Sequence, residues 1–220
     1  MDSQPKSALA EQLTRLAHLE ISPLEEIRYA TQYNFTGTKL YPFPIAFLQK
    51  DAAAALEKVQ RYLAAKELGL KVWDGFRPMV IQQKMWDLIQ DERYVSNPAK
   101  NSGRHTRGTA VDVTLIDKRG GQLALPTDYD NFTEKAHSDW AGASGVEKDN
   151  RELLQEAMTK FGFEIYPYEW WHFDLRNWQQ YPPLDIDFSL IKGTWWLLTR
   201  YSTRNVRTGR SPSLQGARVI

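Results

Sequence analysis

The sequence contains no cysteine. That excludes disulfides, a thiol nucleophile and any thiolate metal site, so a metal held by this chain must rest on His, Asp or Glu. Histidine is scarce as well: His18, His105, His137 and His172 are the whole supply. No run approaches the roughly 18 apolar residues that a membrane span needs. The opening "MDSQPKSALAEQLTRLAHLE" carries acids and lacks an apolar core of signal-peptide length. The default expectation is therefore a cytoplasmic protein without a transmembrane segment, a leader removed beforehand being the alternative.

What is present points to one folded body. The chain has 220 residues, 12% of them aromatic, and eight tryptophans, enough for a single domain with a substantial core. The net charge of +1 hides an asymmetry. Residues 189–220 carry six basic side chains and no acid, which leaves 22 basic against 27 acidic before them, a net of −5. An acidic body offers no footprint for nucleic acid, which needs a basic face. The basic tail has three readings: a flexible extension, a segment docking on the acidic body or a membrane surface, or sequence foreign to the protein. We adopt a peripheral tail, dispensable for chemistry.

Periodicity organises the rest into an amino-terminal helix within 1–24, a body over 25–188 and the tail at 189–220. Leu9, Leu13, Leu16 and Ala17 recur at helical spacing over residues 7–20. Residues 51–68 predict a helix capped by Asp51 and closed by Gly69. "LKVWDGF" predicts a strand, and Pro78 opens a second helix in "RPMVIQQKMWDLIQDE". "TAVDVTLID" alternates, with Asp112 on the face opposite Val111 and Val113, and "KRGGQ" predicts a hairpin turn into "LAL". A further helix is expected over 147–161, then strands at "FEIY" and "EWWHFDL". This order predicts an α+β fold, an antiparallel sheet with helices packed against it.

Three short stretches carry candidate chemistry. "YEWWHFDL" sets Glu169 and His172 three residues apart in an apolar segment. Unpaired charge there is costly, so the pair is either a solvent-facing acid with a satisfied core histidine or part of a reactive site. "SGRHTRGTAVD" sets His105 seven residues before Asp112, whose bland alternative is an ion pair with Arg104 or Arg107. "WDGFRP" places Arg77 at a strand exit. Together they fit one zinc ion per chain, lying on the sheet. His105, Asp112 and His172 would be its ligands, with a fourth position open to water. A water acidified to a pKa of roughly 7 is then a nucleophile. Glu169 would serve as general base and then acid, and Arg77 would stabilise the oxyanion. Positions i and i+3 of a regular strand face opposite sides, so a bulge or turn at Trp170 and Trp171 is expected. His137 could add a fourth ligand, but that would close the water position, and a packing role near Trp140 is the preferred reading.

"HTRGTAVD" followed far downstream by "EWWHF" resembles the zinc D-Ala-D-Ala dipeptidases of the VanX type, within the wider D,D-peptidases. "YATQYNFTG", "VWDGFRP" and "YDNFTEKAH" fall in the same order, and the similarity covers about residues 25–188. The resemblance implies His105, Asp112 and His172 as zinc ligands, Glu169 as the base and Arg77 as the transition-state arginine. It further implies that Tyr29 and Asp130 recognise the free amino group of a small dipeptide. Arg104, directly before His105, departs from the small hydroxyl residue of that family. Such an activity serves either resistance to glycopeptide antibiotics or recovery of D-alanine. Two rivals stand beside a D-Ala-D-Ala dipeptidase: a carboxypeptidase or endopeptidase of the same architecture acting on longer cell-wall peptides, and a non-catalytic zinc-holding module.

Overall fold

A computed structural model describes residues 5–100 and 102–191. The expectation for the tail beyond Ile191 lies outside these residues. In chain order the elements are α1 (Lys6–Ala10), β1 (Leu13–Arg15), β2 (Leu24–Glu25), β3 (Phe47–Gln49), α2 (Lys50–Ala64), β4 (Leu68–Asp74), α3 (Met79–Leu88), β5 (Ala110–Asp117), α4 (Gly145–Lys160), β6 (Phe163–Ile165), β7 (His172–Leu175) and α5 (Phe188–Ile191). Five strands form one sheet in the order β2-β4-β5-β7-β6, and β1 pairs with β3 in a small second sheet. The fold is α+β as expected. The main sheet is mixed, however, because β2 runs parallel to β4 while the other pairings are antiparallel.

The alternation in β5 sorts its residues as the sequence predicts. Val111, Val113 and Leu115 join the hydrophobic core with Leu56, Val59 and Leu154 from α2 and α4, and Asp112 takes the other face. The alanines Ala52, Ala53 and Ala55 let α2 pack closely, and each buried Leu or Val contributes about 1.5–3 kcal/mol. A capping box between Ser144 and Glu147 starts α4.

Four local expectations are corrected. The amino-terminal helix is α1 alone. Leu13–Arg15 pairs with Gln49–Phe47, and Leu16 is fully buried. A short amphipathic helix gains little on its own, and strand pairing outcompetes it. Helix α2 does not use Asp51 as its cap, and it ends before Gly69. Asp51 lies in its first turn, Glu67 takes the left-handed position at φ 58°, and Gly69 enters β4. The hairpin after β5 reduces to a single bridge, Ile116 to Gln122. The body also runs past residue 188: Phe188 and Ile191 are buried, and the Phe188 ring packs on Tyr41, Phe43 and Phe76.

Candidate active site

Strand register assembles the site. Asp112 in mid-β5 pairs across the ladder with His172, the first residue of β7. His105 arrives from a 3-10 turn, His105–Arg107, that ends at Gly108 with φ 71°. A side chain at 108 would suffer twice, from the left-handed backbone and from a Cβ only 2.9 Å from Leu13 Cδ2. That glycine lets the chain reverse from His105 into β5.

His105 Nε2 lies 3.1 Å from His172 Nδ1 and 3.3 Å from Asp112 Oδ1, and His172 Nδ1 lies 3.0 Å from Asp112 Oδ1. The three side chains are buried and form a group able to hold a metal ion. Donors bound tetrahedrally to one cation at about 2.0–2.2 Å stand roughly 3.4 Å apart, so the spacing fits. The outer partners fix which atoms face inward. His105 Nδ1 meets the Gly75 carbonyl at 2.8 Å, and His172 Nε2 meets Asp174 Oδ1 at 2.9 Å. Each contact commits one ring nitrogen and leaves the other to the shared centre. The Tyr129 hydroxyl donates to Asp112 Oδ2 at 2.8 Å. Burial alone would raise the Asp112 pKa, but the two imidazoles outweigh it and hold the carboxyl far below the usual range. Burial would likewise lower His172, and the Asp174 and Asp112 carboxylates push it up to about 10.

The expected turn before β7 is present at Trp170 and Trp171, with the His172 N–H donating to the Glu169 carbonyl. It brings Glu169 Oε2 within 3.8 Å of His172 Nδ1. Burial drives the Glu169 pKa well above the ordinary carboxyl range; His172 opposes this, and the Asp112 and Asp130 charges add to it. Arg77 lines the same cavity, its Nε and Nη2 donating to Asp74 Oδ2 at 3.1 and 2.6 Å and its Nη1 to Gln82 at 2.9 Å. Tyr29 and Asp130 complete the wall. The Tyr29 hydroxyl donates to Asp130 Oδ1 at 2.9 Å, and the Phe35 N–H to Oδ2 at 3.1 Å. Desolvation pushes Asp130 up to about 7. All seven residues singled out from the sequence thus line one cavity. His137 stays outside the group, its ring against Tyr168 at 5.3 Å.

Sequence reasoning missed Asp74, Tyr129 and Asp174. Asp74 and Asp174 had a visible signal, an acid inside the apolar runs "VWDGF" and "HFDL". Tyr129 had none.

The family described as D-ala-D-ala dipeptidase matches residues 12–191. A D-alanyl-D-alanine dipeptidase of Escherichia coli is 35% identical over 164 residues, covering 74% of this chain and 84% of that protein. Dipeptidases of the same name from Enterococcus faecalis and Enterococcus faecium are 29% and 30% identical, covering 75% and 74% of this chain and 91% and 90% of theirs. The chain belongs to the D-Ala-D-Ala dipeptidase family.

Proposed function

We propose that this protein is a zinc dipeptidase that hydrolyses D-alanyl-D-alanine to two D-alanines. The observation that carries the reading is the buried His105–Asp112–His172 group with the Glu169 carboxyl beside it, in a chain of this family. Two imidazoles and a carboxylate, with no thiolate anywhere in the sequence, suit zinc. When bound, zinc supplies a Lewis acid for the peptide carbonyl and an acidified water as nucleophile.

The chain's own groups supply the rest. Glu169 takes a proton from the attacking water and delivers it to the leaving nitrogen as the C–N bond breaks. Asp74 and Gln82 hold the Arg77 guanidinium fixed, and its remaining N–H groups are available to the developing oxyanion. Asp130 and Tyr29 receive the substrate ammonium close to the metal group, which favours a single residue on the amino side of the cleaved bond. Among the described residues no helix is long and apolar enough to cross a membrane.

The test is hydrolysis of D-Ala-D-Ala beside L-Ala-L-Ala and a longer peptide ending in D-Ala-D-Ala. Cleavage of the free D,D-dipeptide in preference to both is expected. Preference for the longer peptide would transfer the assignment to a carboxypeptidase.

A further inference from the structure

Asp130 and Arg104, of opposite charge, both line the cavity that holds the His105–Asp112–His172 cluster. The Asp130 carboxylate is held by the Tyr29 hydroxyl and the Phe35 N–H, and its chain neighbour Tyr129 donates to Asp112 Oδ2. Arg104 reaches His172 through Asp174. Its Nε lies 3.1 Å from Asp174 Oδ2, and the other oxygen of Asp174 meets His172 Nε2 at 2.9 Å. The guanidinium carbon lies over the rings of Tyr166 at 4.8 Å and Trp178 at 5.0 Å. Tyr166 in turn packs on the His172 ring at 5.1 Å. Arg104 therefore has a fixed position beside the metal group. Its side chain keeps 25% of its surface exposed, and it lines the same cavity as Asp130 and Glu169.

A free dipeptide brings two charges into this space. The proposed function gives its ammonium to Asp130 and assigns nothing to its carboxylate. Of the two guanidinium groups lining the cavity, Arg77 donates twice to Asp74 Oδ2 and once to Gln82. Arg104 carries five N–H donors, more than its contact with Asp174 uses, in the fork geometry that matches a carboxylate. Stacking on two aromatic rings holds such a group rigid, so little freedom is lost when an anion binds.

We infer that Arg104 binds the C-terminal carboxylate of the substrate. The inference rests on the peptidase reading of the site. The cavity then offers an anionic stop for one end of the substrate and a cationic stop for the other, which limits substrate length. Arg104 is a specificity-determining residue.

The rival role for Arg104 is purely positional, orienting His172 through Asp174. Binding separates the two. Zinc-loaded protein carrying Glu169→Ala, which prevents turnover, is titrated calorimetrically with D-Ala-D-Ala and with its C-terminal amide. The free acid is expected to bind about 10- to 100-fold more tightly, the worth of a charge-assisted hydrogen-bonded pair. Adding Arg104→Gln should remove that preference and leave zinc content unchanged, and Arg104→Lys should restore part of it. No preference in the parent, equal weakening of acid and amide by Arg104→Gln, or loss of zinc with it would overturn the inference. A parent that prefers the acid, yet fails to cleave it once Glu169 is restored, would overturn the peptidase reading and leave the Arg104 assignment standing.

Discussion

Asp74 faces Asp112 across β4 and β5 because the ladder shifts register at Trp73. Val72 pairs with Val113, and the next paired residue is Asp74 rather than Trp73. A bulge of this kind re-aims the side chain that follows it. Without it, Trp73 would oppose Asp112, and Asp74 would point to the other face. Two carboxylates opposite one another repel unless each is compensated separately. Asp74 is compensated by Arg77 and the Tyr41 hydroxyl at 2.7 Å, and Asp112 by the imidazoles and Tyr129.

Removing Asp74 alone should be severe. It is fully buried, and Asp74→Ala leaves the Arg77 guanidinium in the interior without its anion. Such losses cost about 3–5 kcal/mol. For a chain of this size that lowers Tm by about 6–20 °C, measurable by calorimetry. The double variant Asp74→Leu with Arg77→Met should regain part of the stability while remaining inactive. A Tm for Asp74→Ala equal to that of the parent would contradict this account of the pair.

Ligands and base should separate by variant. His105→Ala and His172→Ala are expected to lose both metal and turnover. Glu169→Ala should keep the metal and the fold and lose about 10²–10⁴-fold in rate. Metal analysis beside the activity assay decides the matter, and a metal-free Glu169→Ala protein would show that Glu169 is a ligand instead.

Asp130 yields two measurements. Asp130→Ala should cost about 2–5 kcal/mol, or roughly 30- to 5,000-fold in kcat/KM, on the free dipeptide. An amino-blocked analogue should lose little, and metal content should stay constant. Equal losses on both substrates would mean damage to the turn at Asp130, whose φ is 59°.

The pH dependence follows from desolvation, which raises Asp130 from 3.8 to about 7. The folded protein then keeps this proton to about 7, whereas the unfolded chain releases it near 3.8. Across that window the folded state binds more protons, so this group makes stability fall as pH rises. Unfolding free energies of metal-depleted wild type and Asp130→Asn, compared from about pH 4 to 8, should diverge in slope accordingly. Parallel curves would refute the raised value.

Much of this site is legible in the sequence because its parts are local. His105 and Asp112 flank a glycine turn that leads into β5, and Glu169 and His172 share one turn. Asp130 and Tyr29 came through family resemblance, since nothing local shows that residues 101 apart share a hydrogen bond. The role of Asp74 depends on a bulge, and a register shift leaves no trace in an alternating pattern. The amino-terminal segment misled for a related reason: its helical spacing is real, but Leu13–Arg15 finds a pairing partner in β3 that local periodicity cannot reveal.

The most direct test of the central claim is a zinc titration of metal-depleted protein with D-alanine release from D-Ala-D-Ala as the readout. The account predicts that activity rises in proportion to added zinc, reaches its plateau at about one equivalent per chain, the capacity of a single site with three protein ligands, and is absent from His172→Ala. Release of D-alanine that ignores zinc, or a chain holding its full equivalent of zinc that leaves D-Ala-D-Ala intact, would contradict it.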